Sequence, residues 1–226
     1  MYEFFQEIRY GYRQILKSPG FSLTVILTLA IGIGTNTAMY TEMDAILFRP
    51  LAIPDLKHVV VLTEEASDKV QKPVAMGNLE DWRQQTTSFS EIAANTGSSV
   101  GLTGSGDPEH LEATLSTANL FHLLSVEPWL GRTFRPGEDA PGRDQEVILG
   151  YAFWQRHFGG DRSILNRTLT LDGRTYSIVG VMPQGFRYAP STDVFLPLAL
   201  SQAQTIDRDT RSYSVLARLR PGVTLG

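Results

Sequence analysis

The chain has 226 residues, 42% of them hydrophobic and 19% charged, which is long and apolar enough to bury a core. A net charge of −4 argues against nucleic-acid binding, which usually shows a basic face. The absence of cysteine excludes disulfide scaffolds, thiolate metal sites and cysteine nucleophiles, and suits an oxidising compartment such as a bacterial periplasm.

In the first 17 residues, Phe4, Phe5, Ile8, Tyr12, Ile15 and Leu16 recur at helical spacing, with Glu7, Arg9, Arg13 and Gln14 elsewhere on the wheel. This predicts an amphipathic helix over Tyr2–Leu16, lying on a membrane face or docking a cytoplasmic partner. Ser18-Pro19-Gly20 then breaks the pattern.

The stretch "FSLTVILTLAIGIGTNTAMY" (Phe21 to Tyr40) follows, inside a run from Ser18 to Thr41 that carries no charge. As a helix rising about 1.5 Å per residue, such a run spans roughly 36 Å, enough for a hydrocarbon core of about 30 Å. A cleaved signal peptide competes with this reading, as does a buried helix of a soluble core. Against the signal stand the roughly 20 residues ahead of the run, Glu3 and Glu7 among them, and the lack of a clear A-x-A site. Residues 21–45 are therefore expected to form an uncleaved transmembrane helix. Arg9, Arg13 and Lys17 ahead of it would hold the N-terminus in the cytoplasm. Gly32, Gly34, Ala30 and Ala38 would let a second helix approach closely. The hydroxyl and amide groups in the second half of the run, at Thr35, Asn36 and Thr37, call for partner helices, unless the threonines bond to their own helix carbonyls. Glu42 and Asp44 are costly in lipid and are expected where the helix emerges into water.

From Leu51 onward short strands, short helices and turns alternate. "HVVVLTE" reads as a buried strand, and "NLEDWRQQ" as a helix with Asn78 as its N-cap and Trp82 facing inward. "SSVGLTGSG" and "HLEATLST" read as strands joined through Gly104–Pro108. "ANLFHLL" is a short helix leading to a Pro128–Gly131 turn, and "RPGEDAPG" a polar loop. "EVILGY" is a strand, and "AFWQRHFGG" a helix ended by glycine. The clearest signal is "RTLTLDGRTYSIVGVMP", a hairpin turning at Asp172-Gly173. "DVFLPLAL" and "SYSVLARLR" are further strands. Without a regular βαβ rhythm the fold class is α+β.

No constellation for chemistry emerges. His58, His110, His122 and His157 lack ligand spacing, and no P-loop or G-x-S-x-G elbow occurs. The glycine-rich "GLTGSGD" (Gly101 to Asp107) joins two strands and reads as a turn. Glu80-Asp81 and Glu138-Asp139 fit helix-start and loop positions better than a general acid/base pair. Asn166-Arg167-Thr168 matches a glycosylation sequon. Trp82, Trp129 and Trp154 read as core anchors. The expectation is a protein that is not an enzyme, with no catalytic residue, no cofactor and no metal.

The segment "RYGYRQILKSPGFSLTVILTLAIGIGTNTAMYTEMDAILFRPL" resembles the first transmembrane segment of ABC transporter permeases with a MacB-like periplasmic core domain, of the duplicated type abundant in acidobacteria. The motifs are Arg13 to Phe21, Ile31 to Ala38 and Ile46 to Leu51. The likeness continues through "DWRQQTTSFSEIAA", "ANLFHLLSVEPWLGRTFRPGED" and "FWQRHFGGDRSILNRTLTLDGRTYSIVGVMPQGFRY" to "ARLRPGVTLG". Glu42 and Thr35 depart from the group's usual apolar residue and alanine.

The resemblance implies a cytoplasmic amphipathic helix over residues 1–20, a transmembrane helix over 21–45 and a periplasmic core over 46–226. Within the core it implies an incomplete porter-like unit (51–93 and 206–226) around a sabre-like insertion (94–205), so that the chain would be an N-terminal fragment. The implied location is the bacterial inner membrane, crossed once by this chain. The implied partners are the lipid bilayer, a separate cytoplasmic ABC ATPase, other permease helices or a second permease copy, and a periplasmic adaptor, with no nucleic acid. The implied activity is transmission of ATP-driven motion to the periplasmic domain, for efflux or mechanical work. The alternative is a stand-alone, membrane-tethered periplasmic binding or adaptor module.

Overall fold

The computed structural model describes residues 19–47, 56–65, 71–104, 108–186 and 192–223. The amphipathic helix expected over Tyr2–Leu16 lies outside them. The chain divides into two compact units, Met1–Pro50 and Leu51–Gly226.

The first unit carries helix α1 (Pro19–Leu47), 29 residues long. The expected break at Ser18-Pro19-Gly20 is the start of this helix. Proline suits that place, because its φ is already helical and its missing N–H would have had no partner. The hydroxyls of Thr24, Thr28, Thr35 and Thr37 donate to the carbonyls of Gly20, Thr24, Ile31 and Ile33 at 2.8–2.9 Å. Of the two readings of Thr35 and Thr37, bonding within their own helix is the one observed. Leu23, Val25, Ile26, Leu27, Leu29, Ile31 and Ile33 are 40–69% exposed, on all sides of the helix. Residues 21–45, expected as a transmembrane helix, are helical throughout. Among the described residues, however, no helix is long and apolar enough to cross a membrane.

The second unit is built on one mixed sheet of ten strands, β1 (Val59–Leu62), β4 (Val74–Ala75), β5 (Phe89–Thr103), β6 (Glu109–Ser116), β7 (Leu130–Gly131), β8 (Glu146–Leu149), β9 (Thr168–Leu171), β10 (Arg174–Val181), β11 (Val194–Pro197) and β12 (Arg211–Leu219). The main path runs β1-β12-β5-β6-β11-β8-β10-β7. Strand β9 pairs with both β10 and β5, so β5, β6, β11, β8, β10 and β9 close into a ring. Closure leaves these strands without a bare edge. Two of the pairings, β6 with β11 and β8 with β10, are parallel. A separate ribbon joins β2 (Glu64–Glu65) and β3 (Gln71–Lys72).

Strand β5 has two jobs. Its first half pairs with β12, from Phe89↔Leu219 to Asn95↔Ser214. Its second half pairs with β6, from Asn95↔Ser116 to Leu102↔Glu109. The strand runs unbroken through residues 93 and 94, where the porter-like and sabre-like parts were expected to meet. Strand β12 in turn lies between β5 and β1, so chain ends far apart in sequence are adjacent in the sheet.

Among the described residues, this unit has four α-helices. They are α2 (Met76–Gln85), α3 (Leu120–Leu123), α4 (Tyr151–Phe158) and α5 (Gln202–Thr205). Helix α2 begins two residues before the expected cap Asn78. Its N-cap is Ala75, in extended conformation and without a side-chain bond. Asn78 instead sits in the first turn, where its amide donates to Glu64 and its oxygen accepts from Arg208. Helix α4 ends as read, with Gly159 in the left-handed conformation. The β9–β10 hairpin is also as read, with Asp172 and Gly173 both at positive φ, 48° and 75°.

Three cores result. Inside the ring lie Leu111, Val147, Phe153, Ile164, Ile178 and Val194, all fully buried. Phe121 centres a second, against Phe134, Phe186 and Phe195 at ring separations of 5.3–6.1 Å. The third joins Val74, Leu79, Ala94 and Val215, with Trp82 half-buried at its edge. Trp154 is buried, as expected of a core anchor. Trp129 is not, being 54% exposed. The turn expected over Pro128–Gly131 contains strand β7, because the Trp129 N–H donates to Val181 and the Arg132 N–H to Val179.

Candidate functional site

Two neighbouring clefts flank helix α3, and His122 lines both. The larger, about 580 Å³, is walled by β5, α2, α3 and the loop after β7. Its floor is apolar, from Ile92, Ala118 and Phe134, each 5–8% exposed. The position of its polar groups follows from a few bonds. The Ile92 carbonyl accepts from Arg83 Nη2 at 3.3 Å and from Asn119 Nδ2 at 3.1 Å. On the other side, Asp139 Oδ2 accepts from the Ala118 N–H at 2.9 Å. A cation and an anion thus line the same cleft, Arg83 fixed on the Ile92 carbonyl and Asp139 on the Ala118 N–H.

The smaller cleft, about 310 Å³, lies along α3 toward Arg218 of β12. His122 Nδ1 and Glu91 Oε1 are 2.6 Å apart. The other oxygen of Glu91 is buried without a hydrogen-bond partner among the described residues. Arg218 Nε donates to the Leu123 carbonyl at 2.8 Å and Nη2 to Ser125 Oγ at 2.9 Å, which ties β12 to the end of α3.

A third cleft, about 360 Å³, is lined by Glu64, Glu65, Asn78, Asp81 and Trp82. Two of its acids, Glu64 and Asp81, are neutralised in place. Glu64 accepts from the Ala75 N–H and the Asn78 amide at 2.8 Å each, and from Arg211 Nε at 2.6 Å. Burial pushes its carboxyl up, and these three donors outweigh burial and hold it below the ordinary range. Asp81 pairs with Arg208, whose hydrogen bonds hold the Asp81 carboxyl low.

The residues weighed from sequence are scattered across these features. Glu80 meets Arg83 while its neighbour Asp81 meets Arg208. Glu138 forms a forked pair with Arg132 at 2.8 Å while Asp139 turns to Ala118. Neither acidic pair therefore acts as a unit. His157 stacks on Phe153 at 5.2 Å, and His110 is exposed. Gly101 and Leu102 lie in β5, and Gly104 has φ +91°, as a strand-to-strand turn requires. Among the described residues, no group of three His, Cys, Asp or Glu side chains is placed to hold a metal ion. Sequence reasoning did not find the clefts, because their walls come from β5, α2, α3 and the loop after β7, and no local spacing joins those segments. Chemically the arrangement can bind and position a ligand.

Among curated proteins none matches this chain. A domain of a protein assigned as a permease, from Porphyromonas gingivalis, superposes with a TM-score of 0.58 at 17% identity, covering 76% of this chain and 77% of that one. The periplasmic region of MacB from Actinobacillus actinomycetemcomitans superposes with a TM-score of 0.54 at 13% identity, covering 76% and 80%. At such identities the likeness speaks for the fold. The sequence profile of the MacB-like periplasmic core domain matches residues 22–226, nearly the whole chain. This chain belongs to the family of MacB-like periplasmic core domains, which are parts of ABC-type transporter permeases.

Proposed function

We propose that the chain is a membrane-anchored permease subunit that passes the motion of a separate cytoplasmic ATPase to its own periplasmic domain. In this reading α1 crosses the inner membrane once, with the N-terminus in the cytoplasm and residues after about 45 in the periplasm. The periplasmic domain performs mechanical work or export and no chemistry of its own. The observation that carries the reading is the family match over residues 22–226, which takes in most of α1 together with the sheet domain. Support comes from the apolar side chains exposed on every side of α1, a surface that water disfavours and lipid accepts. Arg9, Arg13 and Lys17 ahead of it, with no Lys or Arg from Ser18 to Phe48, favour the inward N-terminus.

The finer assignments belong to the same proposal. The duplicated acidobacterial type rests on the motifs around Arg13 to Leu51. The division into a porter-like unit (51–93 and 206–226) and a sabre-like insertion (94–205) is supported by β12 returning to lie between β1 and β5. The test is protease accessibility of a C-terminal tag in spheroplasts and in inverted vesicles. Digestion in spheroplasts alone, at full-length mass beforehand, is the expected result. Protection in spheroplasts with digestion in inverted vesicles would put residues 51–226 in the cytoplasm and overturn the reading.

A further inference from the structure

The cleft beside α3 is a pocket of the size that small ligands and peptide ends occupy, about 580 Å³. Three features of its wall are chemically distinct and sit next to one another. The floor of Ile92, Ala118 and Phe134 takes an apolar group. Among the described residues, Arg83 holds its neighbours through long bonds, 3.4 Å to Glu80 and 3.3 Å to the Ile92 carbonyl. A guanidinium has five N–H donors, so it keeps capacity for a planar, two-oxygen acceptor. Asp139 commits Oδ2 to the Ala118 N–H and keeps Oδ1 as an acceptor. Bonds to the Ile92 carbonyl and the Ala118 N–H hold the cation and the anion in the wall of the same cleft.

A ligand that satisfies all three must carry a carboxylate, an apolar side chain and an N–H donor a short distance from the carboxylate. A fatty acid lacks the N–H, and an internal peptide segment without an acidic side chain lacks a carboxylate for Arg83. The free C-terminus of a polypeptide with an apolar last residue has all three. We propose that this cleft binds the C-terminal end of a partner polypeptide. Arg83 takes the carboxylate, the Ile92–Ala118–Phe134 floor takes the last side chain, and Asp139 accepts a backbone N–H of the bound end. His122, held to Glu91 at 2.6 Å, forms the wall toward the smaller cleft, along which the preceding residues would run. The site is a property of the periplasmic domain and does not depend on coupling to an ATPase.

The experiment uses the full chain in nanodiscs, with empty nanodiscs as the blank, and fluorescence anisotropy of a fluorescein-labelled pentapeptide ending in leucine with a free carboxylate. The expected result is saturable binding that falls at least tenfold when the peptide is amidated or ends in serine. Arg83→Gln removes the preference for carboxylate over amide, and Arg83→Lys restores part of it, which separates loss of the site from loss of the fold. Asp139→Asn weakens acid and amide peptides alike. No saturable binding, equal binding of acid and amide by the wild-type chain, or an undiminished preference in Arg83→Gln overturns the proposal. Competition by hexanoate at the affinity of the peptide overturns the peptide assignment in favour of a simple apolar carboxylate. None of these outcomes bears on membrane topology, so the permease reading stands or falls separately.

Discussion

Nε of Arg211 lies 2.6 Å from Oε2 of Glu64, across 147 positions of the chain. The pair fastens the start of β12 to the segment that follows β1, and the Glu64 carboxylate also caps the Ala75 N–H and the Asn78 amide. One side chain therefore holds together β2, the entry to α2 and the last strand. Glu64→Ala leaves three donors without their acceptor, two of them partly buried. The expected cost is about 1–3 kcal/mol, read as a lowered midpoint in urea denaturation of the chain. Glu64→Gln, which keeps one acceptor oxygen, falls between Ala and wild type.

The same carboxylate gives an acid limb to the stability profile. Its folded-state value lies below the unfolded one, because the donors from Ala75, Asn78 and Arg211 outweigh burial. A group depressed in this way adds stability that is complete above its unfolded value, near 4.5, and is lost as pH falls through the lower folded value. In Glu64→Gln that part of the loss disappears, so the gap between wild type and variant narrows as pH falls below the unfolded value near 4.5. Urea midpoints between pH 3 and pH 7 measure the convergence. A constant gap over that range would contradict the assignment.

Glu146 behaves in the opposite sense. Burial, then the charge of Glu138, raises its carboxyl above the ordinary value, and Oε2 is buried with no partner among the described residues. A raised carboxyl adds stability that is complete below its unfolded value and is lost as pH rises through the folded one. At neutral pH the ionised form is thus a burden on the fold. Glu146→Gln is expected to raise the thermal midpoint at pH 7 and to leave it unchanged or lower at pH 4. Midpoints by circular dichroism at the two pH values check the crossing.

The elements visible in the sequence are those whose cause is local. Asp172-Gly173 announces the β9–β10 hairpin because that two-residue turn demands positive φ at both positions, and it has it. Gly159 ends α4 for the same kind of reason. What stayed hidden is non-local. Nothing near residues 211–219 says that they lie between β1 and β5, and nothing near Leu102 says that it also meets Leu171 to close the ring. Asn78 has a cap's chemistry, yet Glu64 and Arg208 claim its side chain from 14 and 130 positions away. The cleft's Arg83 and Asp139 stand in different segments, so no motif could join them.

Glycine positions differ sharply in what they tolerate. Gly131, at φ +77°, lies where a Cβ would collide with the Val179 carbonyl oxygen and come within 2.7 Å of Leu165 Cδ2. Backbone has to move, so Gly131→Ala is expected to cost more than about 2 kcal/mol and to loosen β7 from β10. Gly173, at φ +75°, has open space around the same position. Gly173→Ala meets only the left-handed conformational penalty, about 1 kcal/mol. Equal urea midpoints for the two variants would contradict the close approach at Gly131.

Two aromatic residues provide the sharpest contrast within this domain. Phe121 is fully buried, with Phe195 edge-on at 5.3 Å and Phe134 and Phe186 beyond it. Its removal leaves a void lined by three other rings, and rings pinned in separate strands and loops cannot collapse into it. Phe121→Ala is therefore expected to cost about 3–5 kcal/mol. Trp129, 54% exposed, has the Arg162 guanidinium 5.8 Å from its ring centroid as a packing partner. An exposed contact of that kind contributes about 0.5–1 kcal/mol, so Trp129→Ala is expected to shift the urea midpoint only slightly. The order of the two losses follows from burial and not from side-chain size, since tryptophan is the larger residue. A Trp129→Ala loss that matches Phe121→Ala would mean that the β7 end of the sheet packs against something more than Arg162.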